Sequence, residues 1–181
     1  MIEVKLEYRI QQGRAVMIDQ TEPVRTGDAR APRIALYQPD IAGNTGAILR
    51  LGACMGMGVD IIGPAGFDMS DRTLKRAGMD YLEMAALSRH VDWTSFEAWR
   101  TANRRRLVLF TTRGASSLWD FAFSPDDLLL FGRESAGVPE HVHEAADAAL
   151  LIPMPGGGRS LNLAMSAAIA AGEALRQLSQ H

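Results

Sequence analysis

A single cysteine, Cys54, stands in 181 residues, which excludes a disulfide framework and a thiolate metal cluster. It reads as a small buried apolar residue in a reducing compartment. No apolar run approaches the roughly 20 residues that cross a bilayer, and the opening MIEVKLEYRI carries charges where a signal peptide needs an unbroken apolar stretch. Neither membrane nor secretion is expected, and the cytoplasm is. No G-x-G-x-x-G follows a strand, and residues 155–160 lack the Lys of a nucleoside-triphosphate loop. His141 and His143, two apart, diverge on a helix. Dinucleotide binding, NTP hydrolysis and metal chemistry therefore have no candidate set. Lysine is almost missing as well: of 19 Lys and Arg residues only Lys5 and Lys75 are lysines. Arginine's planar fork suits phosphate, but a net charge of −2 permits an RNA partner without announcing one.

What is present is the 47% hydrophobic content of an ordinary globular domain, patterned from Arg33 onward. Apolar runs at 34–37, 59–62, 107–112, 128–131 and 150–152 alternate with helix candidates near 45–55, 71–77, 94–103, 140–146 and 161–178. Continuous apolar strands separated by helices predict an α/β fold with a mainly parallel sheet and helices on both faces. Residues 33–181 form that domain and residues 1–32 read as an extension. Ile2, Val4, Leu6, Tyr8 and Ile10 alternate as a short edge strand would; the preferred reading is a vector-derived or upstream-start segment before Met17.

Three segments carry polar residues where strands meet helices. In PDIAGNTGAILRL, residues 39–51, Asn44 reads as the N-cap of the following helix. At about 100° per residue Ile48, Leu51 and Met55 share a face that excludes Arg50. In LLLFGRESAGVP, residues 128–139, Gly132 and Gly137 allow close backbone approach and Glu134 supplies a carboxylate at the strand end. In IPMPGGGRSLNL, residues 152–163, a loop delivers Arg159, Ser160 and Asn162 to the start of a long helix, whose free N–H groups favour anions or polar ligand groups. Along that helix Leu161, Met165, Ala168, Gly172 and Leu175 form a stripe suited to close packing. Singly, these are also a capped helix, a strand with a turn, and a core stripe.

Taken in order, NTGAILRLGA, FGRESAGVP and IPMPGGGRSLNLAMSAAI resemble the motifs of the SPOUT superfamily of methyltransferases, in its branch of tRNA wobble-position ribose 2'-O-methyltransferases. The resemblance spans Arg33 to Leu178, and DRTLKRAGMDY at residues 71–81 fits the same branch. It implies methyl transfer from S-adenosylmethionine to the ribose 2'-hydroxyl of cytidine or uridine 34 of tRNA, without a metal. It further implies a C-terminal trefoil knot, against the general rule on threaded chains, and a homodimer whose partner completes the RNA site. The cofactor residues implied are Phe110, Thr111, Gly132, Gly137, Ile152, Met154, Ser160 and Leu161; the catalytic set is Arg50, Asn44, Glu134, Ser160 and Asn162. A guanidinium stays protonated, so Arg50 reads as a stabiliser of the developing alkoxide, with a substrate phosphate or water taking the proton. Asn44 orients Arg50, Glu134 holds the loop or a substrate group, and Ser160 and Asn162 fix substrate and cofactor. Arg133 and Ala136 stand where the branch often carries Pro and a basic residue. The rival readings are a SPOUT enzyme for another tRNA or ribosomal RNA position and a noncatalytic RNA-binding α/β module. The joint presence of the five catalytic candidates argues against the latter.

Overall fold

Strands β3 (Arg33–Tyr37), β4 (Gly58–Ile62), β5 (Leu87–His90), β6 (Arg106–Phe110), β7 (Ser116–Ser117), β8 (Asp127–Phe131) and β9 (Ala148–Leu151) form one sheet of order β5-β4-β3-β8-β6-β9-β7. Every pairing in it is parallel. The computed structural model describes residues 8–11, 14–17, 31–69, 86–114 and 116–179. Helices α1 (Ala42–Met55), α2 (Trp93–Ala102), α3 (Glu140–Glu144) and α4 (Leu163–Leu178) cover the sheet. The sheet's two faces enter separate cores. Ile34, Leu36, Val108 and Leu129 pack with Ile48 of α1 and the α4 alanines, whereas Ala35, Leu107, Leu109 and Leu130 pack with Phe96 of α2 and Val142 of α3. This is the helix-covered parallel sheet expected from apolar strands with no solvent face.

The central strands match their predicted runs to within two residues, and β6 stops at Phe110, where the Thr111 N–H already turns to the Leu150 carbonyl at 2.9 Å. β5 and β7 escape the pattern, because Leu87–His90 contains only one strongly apolar residue and Ser116–Ser117 is too short to show a period. The helix expected at 71–77 and the DRTLKRAGMDY segment lie outside the described residues. Within the extension, β1 (Tyr8–Gln11) and β2 (Arg14–Met17) pair antiparallel in a sheet of their own, so Tyr8 and Ile10 do lie in a strand, but not at an edge of the main sheet.

Several expectations are corrected. Asn44 is not a cap: α1 starts at Ala42, and the Ile41 carbonyl accepts from both Asn44 N and Thr45 N at 3.1 Å. The backbone is thus helical before Asn44, whose side chain is left for other work. The buried face of α1 is Thr45, Gly46, Ile48, Leu49 and Gly52. Cys54, two residues or about 200° on from Gly52, is exposed instead of buried. Met55 is 42% exposed because the chain reverses at Gly56, φ +68°, and Met57 enters the core in its place. On α4 the buried stripe is Ala167, Ala170, Ala171 and Ala174, one position off the expected one. Small side chains let this helix lie close to α1 and β8, and turn Met165 outward.

Candidate functional site

The carboxyl ends of β6, β8 and β9 open into a cavity of about 700 Å³, at the edge where α/β sheets place ligands. The order β3-β8-β6 sets the loop after β8 between the start of α1 and the loop after β6. Phe110 and Phe131, register partners on β6 and β8, stack with ring centroids 4.9 Å apart and form part of the cavity's apolar wall.

The loop after β8 is closed by two backbone bonds, Arg133 N–H to the Gly137 carbonyl at 2.9 Å and the return bond at 2.8 Å. Two positions in it require glycine. A Cβ at Gly132 would stand 2.5 Å from the Gly137 backbone, and Gly137 itself has φ +68°. The closed loop pushes Glu134 toward α1. Its Oε2 accepts from Asp40 N–H at 2.8 Å and its Oε1 from Asn44 Nδ2 at 3.0 Å.

From there a hydrogen-bonded chain crosses to α4. Asn162 Nδ2 donates to Asn44 Oδ1 at 2.9 Å, and Asn162 Oδ1 caps α4 by accepting from Ala164 N at 2.8 Å and Met165 N at 3.4 Å. Both amide orientations are dictated by the ends of the chain. A carboxylate only accepts and a helix N-terminus only donates, so each asparagine must turn its NH₂ toward Glu134 and its oxygen toward α4.

Asp40 anchors the loop from the other side. Its Oδ1 receives Arg133 Nε at 3.2 Å and Nη2 at 2.9 Å, and its Oδ2 receives the Ser135 N–H at 3.1 Å and the Ser135 hydroxyl. The Ser135 hydroxyl first, then the Arg133 guanidinium, hold the Asp40 carboxyl at about 2, well below its ordinary 3.8.

The structure brings most of the sequence candidates together. Phe110 lines the cavity from the end of β6 and Thr111 from the loop after it, Gly132 and Gly137 from the loop after β8, Ile152 and Met154 from the loop after β9, and Ser160 and Leu161 from the approach to α4. Asn44, Glu134 and Asn162 stand in the same wall, joined as described. Arg50 does not line the cavity; it lies exposed on α1, six residues or about 9 Å of helix rise beyond Asn44, and Asn44, expected to orient it, bonds Glu134 and Asn162 instead. Asp40 and Ser135 were not singled out by the sequence, although both sit inside the quoted segments. An acidic residue after a strand and a Ser beside Glu134 carried no spacing that joined positions 95 residues apart. Among the described residues no His, Cys, Asp and Glu group could hold a metal ion, and no helix is long and apolar enough to cross a membrane.

Residues 31–172 match the model of the SpoU rRNA Methylase family. The tRNA (cytidine(34)-2'-O)-methyltransferase of Beijerinckia indica is 58% identical over 145 residues, which are 80% of this chain and 91% of that protein. A solved structure described as giving structural insights into the 2-OH methylation of C/U34 on tRNA is 40% identical with a TM-score of 0.79, over 84% of this chain and 99% of that one. The SpoU methyltransferase AviRb of Streptomyces viridochromogenes, in complex with the cofactor AdoMet, is 28% identical with a TM-score of 0.76, over 91% of this chain and 64% of that one.

Proposed function

The chain belongs to the SpoU rRNA Methylase family, and on that premise we propose that it methylates the ribose 2'-hydroxyl of nucleotide 34, cytidine or uridine, of tRNA in the cytoplasm, using S-adenosylmethionine. The observation that carries this reading is the chain of hydrogen bonds through Asp40, Glu134, Asn44 and Asn162. It ties three segments distant in sequence into one wall of one cavity. The fit to the cofactor rests on that cavity. About 700 Å³ is within the ordinary range for a small-molecule site. Phe110, Ile152 and Leu161 offer apolar surface for a base, and Thr111 and Ser160 offer hydroxyls beside the strand-end backbone. When bound, S-adenosylmethionine supplies a methyl group made electrophilic by its sulfonium.

The chain's own residues have separable tasks. Glu134 holds: each carboxylate oxygen already accepts from a partner within the protein, which favours anchoring over proton transfer. Asn44 and Asn162 fix the wall, and Ser160, exposed at its rim, positions the substrate. Arg50, beyond the wall on α1, is in this reading the fixed positive charge that stabilises the attacking oxygen. A substrate phosphate or water accepts its proton. A second copy of the chain completes the RNA site. Leu161, just before α4, and Met165, in its first turn, 40% and 58% exposed, support a two-fold contact there, and the trefoil knot belongs to the same reading.

The test is transfer of a labelled methyl group to a tRNA transcript, with the modified nucleotide mapped. Label on the ribose of nucleotide 34, and none on tRNA carrying a 2'-deoxy residue there, is the expected result. Label on any other nucleotide overturns the assignment, and sedimentation as a monomer at micromolar concentration overturns the dimer.

A further inference from the structure

The loop between Gly132 and Gly137 has a fixed base but no fixed direction of its own. Its two internal bonds join Arg133 to Gly137, so its direction is set by bonds to other segments. What sets its direction is Asn44 of α1, through Glu134, together with the short segment between β3 and α1. Asp40 accepts four hydrogens from Arg133 and Ser135, about as many as a carboxylate has lone-pair sites for, and donates its own N–H to Glu134. Arg133 adds a long bond from Nη1 to Gln38 Oε1 at 3.5 Å. The segment is backed from behind: the Gly66 N–H donates to the Pro39 carbonyl at 2.9 Å, and a Cβ at Gly66 would come within 3.1 Å of Asp40 Cα.

We propose that Asp40 and Arg133 are positioning residues for the cofactor: their ion pair clamps the loop after β8 against the start of α1, so that Gly132, Glu134 and Gly137 stand in the cavity wall before any ligand arrives. Arg133 is thereby committed to the protein. Both of its bonding nitrogens nearest Asp40 converge on Oδ1, and moving it toward an RNA phosphate would leave that oxygen short of partners. A lone exposed ion pair is worth little. This one is part of a network in which a single carboxylate takes four hydrogens from the loop after β8, so its loss is felt in where that loop stands, while the Asp40 N–H to Glu134 and the Asn162–Asn44 bond do not depend on it. Preset walls raise affinity by removing the cost of ordering them on binding. The clamp therefore acts on cofactor affinity, and not on the rate of methyl transfer once the cofactor is held.

This inference rests on the cofactor assignment above, and its test separates the two. Binding of S-adenosylmethionine to the unmodified protein, by calorimetry, is measured first; no binding overturns the assignment and the proposal together. Given binding, Asp40→Asn and Arg133→Met are each expected to raise Kd about tenfold, with Arg133→Lys intermediate because charge survives and the fork does not. The double variant should bind no worse than the weaker single variant, since both break one clamp. Single-turnover rates at saturating cofactor and tRNA should stay within about threefold of the parent. Amide exchange at Ser135 should accelerate in the variants, while that of β3 does not. Unchanged Kd in Asp40→Asn, additive losses in the double variant, or equal loss of stability and rate with unaltered exchange at Ser135 would each overturn the clamp.

Discussion

Where the strands begin, arginines close on carboxylates that are wholly buried: Arg33 Nε meets Asp60 at 2.6 Å and Arg106 Nε meets Asp127 at 2.6 Å, both aspartates at 0% exposure. Where the strands end, the polar groups are half exposed, and neutral amides carry much of the connection. The first edge spends its charges on itself. Asp60 also takes Nε2 of His90, the last residue of β5, at 2.8 Å, and the Arg33 guanidinium lies 5.6 Å over the Trp99 ring, so these charges are engaged with one another. The second edge keeps side chains along a cavity and holds them by a shared hydrogen-bond network. One sheet thus keeps the buried ion pairs anchored at Arg33 and Arg106, the first residues of β3 and β6, apart from the cavity at the carboxyl ends of β6, β8 and β9.

The largest effect should come from the first edge. Asp60→Ala removes the carboxylate shared by Arg33 and His90, 16% and 8% exposed, leaving Arg33 its Nη2 bonds to Ser88 Oγ and the Ala86 carbonyl, and breaking a buried pair on one side costs about 3–5 kcal/mol. Urea denaturation should show that loss, while the protein that remains folded binds S-adenosylmethionine within about twofold of the parent. A comparable loss of cofactor affinity would mean that the two edges are not independent.

Arg50→Ala should do the opposite. Removing a fixed charge from a reacting oxygen costs on the order of 100-fold or more in rate, yet Arg50 is exposed, so the denaturation midpoint should move little and cofactor affinity should not change. Arg50→Lys should recover part of the rate. Near-parental single-turnover methylation by Arg50→Ala would remove this residue from the mechanism and leave Ser160 as the next to examine.

Asn162 belongs to both stability and chemistry, and two substitutions split its roles. Asn162→Asp keeps an acceptor for Ala164 and Met165 and adds a favourable charge at the α4 N-terminus, so stability should hold within about 0.5 kcal/mol. The introduced carboxylate cannot donate to Asn44, however. Whichever way the Asn44 amide then turns, one acceptor faces another, at the introduced carboxylate or at Glu134, and transfer should slow about tenfold. Asn162→Ala should show the slower transfer together with a loss of about 1 kcal/mol from the missing cap.

The two edges also differ in how far they could be read in advance. The sheet was legible because β3, β4, β6 and β8 are apolar runs buried on both faces, and the cavity wall because three motifs bring Asn44, Glu134 and Asn162 in order. Neither the Asp60 triad nor the Asp40 hub was legible. Each joins residues on elements that approach only after the strand order is known, and a lone Asp in a strand or loop has no period that marks its partner. The shift of the α4 stripe has a simpler cause. In LNLAMSAAIAAGEAL nearly every face is small or apolar, so composition could not decide which side of the helix meets the sheet, and packing of Ala167, Ala170, Ala171 and Ala174 did.

The smallest effect expected is one of pH, and its sign follows from Asp40. The carboxyl is held at about 2, below its ordinary 3.8, by hydrogen bonds from the Ser135 side chain and Arg133. A group whose value is depressed by native contacts contributes its stabilisation above the ordinary value and loses it as pH falls through the depressed one. The clamp should therefore be constant from about pH 8 to pH 5, and weaken only as pH falls from about 4 toward 2. Over the working range the ratio of cofactor affinities between the parent and Asp40→Asn should be flat. Carbon NMR of the Asp40 carboxyl checks this directly: a titration midpoint near 2 places the network in solution as drawn, whereas a midpoint at the ordinary value would show Ser135 and Arg133 disengaged. The loop after β8 would then be ordered by its ligand, and the second edge would have no preset geometry to contrast with the first.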